Sequence, residues 1–358
     1  MGSNNPGNDN RVAGALTFPT SSQQSTAQRV PDQPRQPRSL QGLLRFAMEA
    51  TKAEDAPANS EVGPMDEERR KFLEEALRSL TVNVAQVLEN AIRVLTNSAR
   101  MNTIQLGEAL PDDVKNSFTI LLDHVDDLDV ANDFYKMGGF RMFPICYGSE
   151  NEEVRSRASA LLGTLCQNNH FCQTRALECG LLNVLLTLVL SERGVPLAKC
   201  LYAISCAVRE YEPACRELIA QDGCETLMQL LRVPEPAART KAAFLIRYFA
   251  QHYSEAKEHF IRENIVRTIT GLIEKDRDES TEHLLSILKV MTDDLDPAVL
   301  RQCRDPSIHL QKVLLNHLNL PEMRDDRFRE EKEYCDELLT RIFHKPPKVN
   351  PVEEVADR

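Results

Sequence analysis

Four residues that carry or can take up positive charge, Arg157, Lys199, Lys241 and His283, stand 42 positions apart in an unbroken series. A fixed period of this length constrains the fold more than any composition does. Units of this size are too small to bury their own apolar faces and manage it only by stacking on one another, which is the principle of an α-helical solenoid.

The residues that follow each member of the series repeat in step. Ala158, Leu161, Leu162 and Leu165 correspond to Cys200, Ala203, Ile204 and Ala207, then to Ala242, Leu245, Ile246 and Phe249, then to Leu284, Ile287, Leu288 and Met291. Every one is apolar, and the i, i+3, i+4, i+7 spacing lines one face of a helix and fits no strand. Upstream of each such helix stands a loop residue, Gly139, Gly180, Gly223 or Asn264, suited to the left-handed turn between two helices. Each unit therefore reads as a short helix, a turn, a medium helix, a loop and a longer third helix. Three helices in such a period is the armadillo plan, although two-helix HEAT units fit the length as well. The expected fold is all-α, an armadillo-like right-handed superhelical solenoid of about four three-helix repeats with helical caps at both ends.

The expected organisation is an arm at 1–63, an N-terminal cap at 64–122, repeats at 123–295, a C-terminal cap at 296–345 and a tail at 346–358. The first 38 residues are rich in Asn, Ser, Gln, Pro and Thr and cannot bury enough apolar surface to offset the entropy of ordering, so the arm is expected to be disordered. Within it, the segment 39–50 carries Leu40, Leu43, Leu44 and Ala47 at helical spacing behind Ser39 as a candidate N-cap. Such an island either docks on a partner or folds back to cap the solenoid. The N-terminal cap is read from Phe72, Leu73, Ala76, Leu77 and Leu80, from Val84, Val87, Leu88, Ala91, Ile92 and Leu95, and from Val114, Phe118, Leu121, Leu122 and Val125. Phe328, Cys335, Leu338, Leu339 and Ile342 mark a final helix with a charged back.

Acidic residues outnumber basic ones by 11, which argues against a nucleic-acid partner. The longest apolar candidate, Leu181 to Leu190, falls far short of the roughly 20 residues a membrane helix needs. Met1 to Asn10 lacks the apolar core of a secretion signal, and Pro6 stands where a myristoylation signal wants Ser or Thr. A cytosolic protein is expected, with import into the nucleus left open. The ten cysteines form no C-x-x-C pair and have no histidine at finger spacing, so they read as reduced packing residues and no metal or cofactor is expected. A Gly-rich phosphate loop, a G-x-S-x-G turn and an H-E-x-x-H helix are all missing from the sequence, so the protein is expected not to be an enzyme.

Binding is expected on the third-helix positions that do not face the core. The stripe runs through Arg157, Ala160, Thr164 and Gln167, then Lys199, Tyr202, Cys206 and Arg209, then Lys241, Phe244, Tyr248 and Gln251, then His283, Ser286, Val290 and Asp293. Its first column is basic although it lies close to the helix start, where the macrodipole favours acids. Its second sets Tyr202 and Phe244 beside that charge, and aromatic residues with arginine are the usual anchors of protein interfaces. The alternative is that the basic stems lie over neighbouring helices and the rings pack between units.

Leu40-Gln41-Gly42-Leu43-Leu44, Glu67-Glu68-Arg69-Arg70, Ala203-Ile204-Ser205-Cys206-Ala207-Val208-Arg209-Glu210 and Lys241-Ala242-Ala243-Phe244-Leu245 together resemble the Hsp70-binding protein 1 family of armadillo-type nucleotide exchange factors. The octapeptide is the most specific of these, and the likeness runs from about Ser39 to Phe343. The resemblance implies a monomer without catalytic groups whose array embraces one lobe of the ATPase domain of the 70-kilodalton heat-shock chaperone, with the stripe and Glu210 as the contact, and so speeds ADP loss. It also implies that the arm, through Leu40, Leu43 and Leu44, engages the peptide-binding domain as a substrate mimic. The rivals are an armadillo scaffold without exchange activity, and an import adaptor, which would need Trp and Asn ladders that a chain without Trp does not supply.

Overall fold

The computed structural model describes residues 84–343 together with Glu67, Arg70, Lys71 and Glu74. The chain divides into two units after Ala76. Of the first unit, the four described residues are helical, and the Arg70 guanidinium meets Glu67 at 2.7 Å. The arm, its motif at 39–50, the tail, and Phe72, Leu73, Ala76, Leu77 and Leu80 lie outside the described residues.

The second unit is helical from end to end, with no strand among the described residues. It opens with α1 (Val84–Leu95), α2 (Ser98–Met101) and α3 (Asp112–Leu122). Four three-helix units follow: α4 (Leu128–Lys136), α5 (Met142–Tyr147) and α6 (Glu152–Cys166); α7 (His170–Glu178), α8 (Leu181–Ser191) and α9 (Gly194–Val208); α10 (Glu212–Ala220), α11 (Gly223–Leu230) and α12 (Pro236–His252); α13 (Ser254–Arg262), α14 (Ile265–Lys275) and α15 (Thr281–Thr292). Beyond them α16 (Pro297–Cys303), α17 (Leu310–Leu318) and α18 (Arg329–Phe343) form a further set of three in which, as in each repeat, the third helix is the longest. The C-terminal segment is therefore built on the plan of a fifth unit.

Each first helix of the four repeats is nine residues long, and their starts at 128, 170, 212 and 254 keep the sequence period. The left-handed residue between the first and second helices keeps it too: Gly138 (φ 80°), Gly180 (φ 68°), Asp222 (φ 55°) and Asn264 (φ 54°), while in the fifth set its counterpart, His309 (φ 57°), comes 45 residues after Asn264. Two of the expected turn residues are thus displaced by one position. Gly139 and Gly223 are glycines for want of space, since a Cβ would stand 2.4 Å from the Phe134 ring in one and 2.5 Å from the Leu218 side chain in the other. At the second of these turns Asp222 takes the left-handed conformation, which its short polar side chain tolerates better than most.

The sixteen residues that define the period form the spine of the core, none more than 3% exposed. They pack third helix against third helix in a row, α3 on α6, α6 on α9, α9 on α12, α12 on α15 and α15 on α18. Removing such side chains from water is worth about 1.5–3 kcal/mol apiece for the larger ones, and the stack shares that gain between neighbours. Leu88, Ala91, Ile92 and Leu95 of α1, and Val114, Phe118 and Leu121 of α3, are buried in continuation of the same core, while Val84, Val87 and Leu122 are half-buried.

Polar ties fix the angle between units. Arg239 at the start of α12 donates to the carbonyls of Leu231 (3.1 Å) and Val233 (2.8 Å) and reaches Asp278 in the next unit at 2.5 Å. Two periods earlier, Arg155 holds the carbonyls of Ser149 and Glu150 and pairs with the buried Glu192. Gln173, itself buried, donates to the carbonyls of Cys206 (2.8 Å) and Arg209 (2.9 Å) and closes the end of α9. Asn151 accepts from the N–H groups of Glu153 and Val154 as the N-cap of α6 and donates to the carbonyls of Gln105 and Glu108. Of the ten cysteines eight are buried and all are free thiols, and burial pushes the Cys146 thiol up to about 12, so it packs as an uncharged side chain.

Candidate functional site: a basic and aromatic groove on the third helices

The exposed sides of α6, α9 and α12 form two adjoining grooves. The larger, about 480 Å³, is lined by Gln167, Asn168, Leu201, Tyr202, Ser205, Cys206, Arg209, Lys241 and Phe244. The second, about 350 Å³, shares Arg209 and Phe244 with it and adds Glu210, Arg247, Tyr248, Gln251 and His252. Eight of the sixteen stripe positions are brought together here, Gln167, Tyr202, Cys206, Arg209, Lys241, Phe244, Tyr248 and Gln251, along with Glu210, while Ala160 and the four positions of the last unit lie outside both grooves. Arg157, Thr164 and Lys199 line neither groove.

The rings do both of the things expected of them as alternatives. Tyr202 of α9 packs against Gly163 of α6, so close that a Cβ on that glycine would stand 2.3 Å from its Cε1, and its hydroxyl donates to Gln167 Oε1 at 3.0 Å. It packs between units and still forms a wall of the groove. Phe244 is 45% exposed and leans on the His283 ring of the next unit, with centroids 4.4 Å apart. The Tyr248 hydroxyl accepts the backbone N–H of Glu210 at 3.2 Å, satisfying a donor at a left-handed residue (φ 56°).

The charge in the groove differs from the expected column. Arg157 is half-buried and paired with Glu153 one turn earlier at 2.7 Å, so it offers little net charge. Burial, aided by Arg247, lowers the affinity of His283 for a proton, so this member of the column is neutral near pH 7. Lys199 and Lys241 remain, and each is the sixth residue of its helix, since α9 starts at Gly194 and α12 at Pro236. They lie beyond the first turn, where the dipole has faded, so the expected conflict with the macrodipole does not arise. Lys199 reaches over the Tyr202 ring at 6.0 Å.

Arg247 completes the group and was missed by the stripe. Its column, Gly163, Ser205, Arg247 and Lys289, keeps the period but shares no side-chain character, so only the three-residue step from Phe244 could have pointed to it. Among the described residues Lys199, Arg209, Lys241 and Arg247 have no carboxylate partner, whereas Arg216, Arg239, Lys257, Arg277, Lys289 and Arg341 all do. Burial pushes the Cys206 thiol up, against the pull of Tyr202, Arg209 and Lys241, so the groove floor carries no anion of its own. No group of three or more His, Cys, Asp and Glu side chains suited to a metal occurs among the described residues.

A stack of three-helix units with a polar and aromatic groove along its third helices defines an armadillo-type solenoid protein. Solved structures agree on the fold. A designed armadillo repeat protein in complex with the peptide (KR)4 superposes with a TM-score of 0.55 at 13% identity, over 72% of this chain and 99% of that one. An engineered protein superposes at 0.57 with 14% identity, over 72% and 99%.

Sequence comparison is narrower. The family model described as SIL1/FES1/HPBP1 C-terminal domain matches residues 130–248, and that for nucleotide exchange factor Fes1 matches residues 40–134. Hsp70-binding protein 1 of Mus musculus is 31% identical over 323 residues, 87% of this chain and 88% of the relative, and that of Homo sapiens is 30% identical over 319 residues, 87% of each. Hsp70 nucleotide exchange factor FES1 of Mycosarcoma maydis is 28% identical over 145 residues, 40% of this chain and 36% of the relative. The chain belongs to the Hsp70-binding protein 1 family.

Proposed function

We propose that this protein is a nucleotide exchange factor for an Hsp70 chaperone, acting by binding alone. The observation that carries the reading is the relationship to Hsp70-binding protein 1 along 87% of both chains, together with a groove that lies within the region matched by the family model and whose cations have no carboxylate partner among the described residues. The third-helix face would clasp the ATPase domain of the chaperone in the conformation whose nucleotide cleft is open.

The energetic requirement is differential affinity. A factor that bound the open and the ADP-closed forms equally would shift nothing, however tightly it held them. Each tenfold preference for the open form lowers its free energy relative to the closed one by about 1.4 kcal/mol. Linkage then requires ADP to weaken the factor's grip by the same ratio. The leucines of the arm, Leu40, Leu43 and Leu44, would engage the peptide-binding domain and help a bound client to leave.

The test is the release of fluorescent ADP from purified Hsp70 in a stopped-flow instrument. Acceleration by substoichiometric protein supports exchange; unchanged release with intact binding makes the protein an armadillo scaffold instead. Deleting residues 1–50 should leave ADP release at the full-length rate and slow the departure of a labelled client peptide. Loss of ADP release in that folded truncation would move the arm into the primary interface.

A further inference from the structure

Both rings that wall the larger groove are held in place by the protein itself. Tyr202 is fixed by its contact with Gly163 and its bond to Gln167, and Phe244 by its tilted contact with the His283 ring. The gap between them is floored by Leu201, Ser205 and Cys206, which are apolar or small. A seat that exists before the partner arrives costs little ordering entropy on binding, and a groove of about 480 Å³ has ample room for an apolar side chain together with its polar neighbours. Around this seat stand Lys241 and Arg209, with Arg247 in the adjoining groove and Lys199 beside Tyr202, none with a carboxylate partner among the described residues, in a chain whose net charge is −11. Like charges gathered on one face raise the local potential and favour an anionic partner, with Glu210 the one carboxylate that lines the adjoining groove.

We propose that the groove takes a segment of the chaperone surface in which one apolar anchor is flanked by carboxylates: the anchor fills the gap between Tyr202 and Phe244, and the carboxylates meet Lys241, Arg209 and Arg247. The identity of the partner rests on the exchange-factor reading; the chemistry of the contact rests on the groove. The two halves of the contact have different kinetic signatures. The charges steer the encounter and act on the association rate, whereas the anchor holds the complex and acts on the dissociation rate.

Three full-length variants separate them when binding to the isolated ATPase domain is followed at low and high salt. Lys241→Glu with Arg247→Glu should lose about tenfold in affinity at low salt, mostly in association rate, and the deficit should shrink at high salt. Ser205→Phe places a ring in the seat, at a column where the next unit already carries Arg247, and should lose about tenfold through faster dissociation with an unchanged salt dependence. Ser205→Leu serves the same end should the larger ring disturb folding, as judged by the melting curve. Affinities within about twofold of the parent for the reversed pair or for the filled seat would overturn the proposal.

ADP release tells this failure from failure of the exchange reading. Accelerated release by the parent protein with neutral variants removes the acid-and-anchor contact and leaves the exchange factor standing. A parent protein that neither binds Hsp70 nor accelerates release removes the exchange factor, and a synthetic peptide with one leucine between runs of glutamate then decides the groove. Binding of that peptide to the parent and not to the reversed pair supports the proposed chemistry, and its failure to bind the parent contradicts it.

Discussion

The ring of Tyr202 occupies the space that a side chain on Gly163 would fill, 39 residues earlier in the chain and one unit away. This contact joins the packing of two repeats to the shape of the groove. Gly163→Ala tests the link, and its sign depends on two opposed effects. Alanine improves the helix by up to about 1 kcal/mol, but the added carbon, at 2.3 Å from the ring, forces Tyr202 away from Gln167 and into the groove. Overpacking of this kind costs about 1–3 kcal/mol, so a net loss of stability is expected in chemical denaturation, together with weaker binding to the chaperone. A variant as stable as the parent with the Tyr202–Gln167 bond intact would show that the ring is not held there by the glycine.

Asp278 makes stability depend on pH. Burial pushes its carboxyl up, but the Ser280 hydroxyl and N–H and the Arg239 guanidinium more than reverse this and hold it below the usual carboxylate value. A group whose folded-state affinity for protons is depressed contributes stability in full above the unfolded carboxylate pKa of about 4, and that contribution is lost as the pH falls through the lower folded value. The melting temperature should therefore fall more steeply below about pH 4 in the parent than in Asp278→Asn. Parallel curves would mean that the carboxylate is not favoured by folding. Arg239→Met, which strands Asp278 and the Leu231 and Val233 carbonyls, should cost about 3 kcal/mol at neutral pH.

Leu161 and Ile204 are fully buried at the seam of α6 and α9. An aspartate at either site would bring an unpaired charge into the shared core, at a cost that exceeds what a single repeat interface supplies. Amide exchange should show the first and second repeats losing protection together, with the fifth set of helices retaining more of it. An unchanged melting curve for both variants would contradict this placement.

Lys199→Glu with Arg209→Glu addresses the other side of the groove. Neither cation has an anionic partner among the described residues, so folding should be nearly indifferent to the change while chaperone binding weakens several-fold at low salt. Circular dichroism and titration against the ATPase domain report the two separately. Unchanged affinity would remove this face from the interface.

The sequence and the structure agree where the physics is local and periodic. The columns from Ala158 to Met291 were legible because a helix that buries one face must place apolar residues at its own period. The turns were off by one at Gly139 and Gly223 because glycine serves two ends, backbone freedom and close packing, and nothing in the sequence separates them. The fifth set of helices was harder to see, since the step from Asn264 to His309 is 45 residues where the others are 42, and histidine marks a left-handed turn less plainly than glycine does. In the groove, Tyr202, Phe244, Lys241 and Arg209 followed from the stripe, and the pairing of Arg157 with Glu153 was available from their four-residue spacing. What lay out of reach was the neutral state of His283, which depends on burial and on Arg247 brought in from the neighbouring unit, while Arg247 itself was open only to the three-residue step from Phe244.

The central claim is that this face prefers the open, nucleotide-free chaperone. Affinity of the full-length protein for the Hsp70 ATPase domain, measured once without nucleotide and once with saturating ADP, tests it directly. Binding should be at least about tenfold tighter without ADP, and the ratio should match the factor by which the protein weakens ADP binding in the reciprocal titration. Equal affinities in the two states would contradict the account, because a protein that does not distinguish them has no means of driving the nucleotide out.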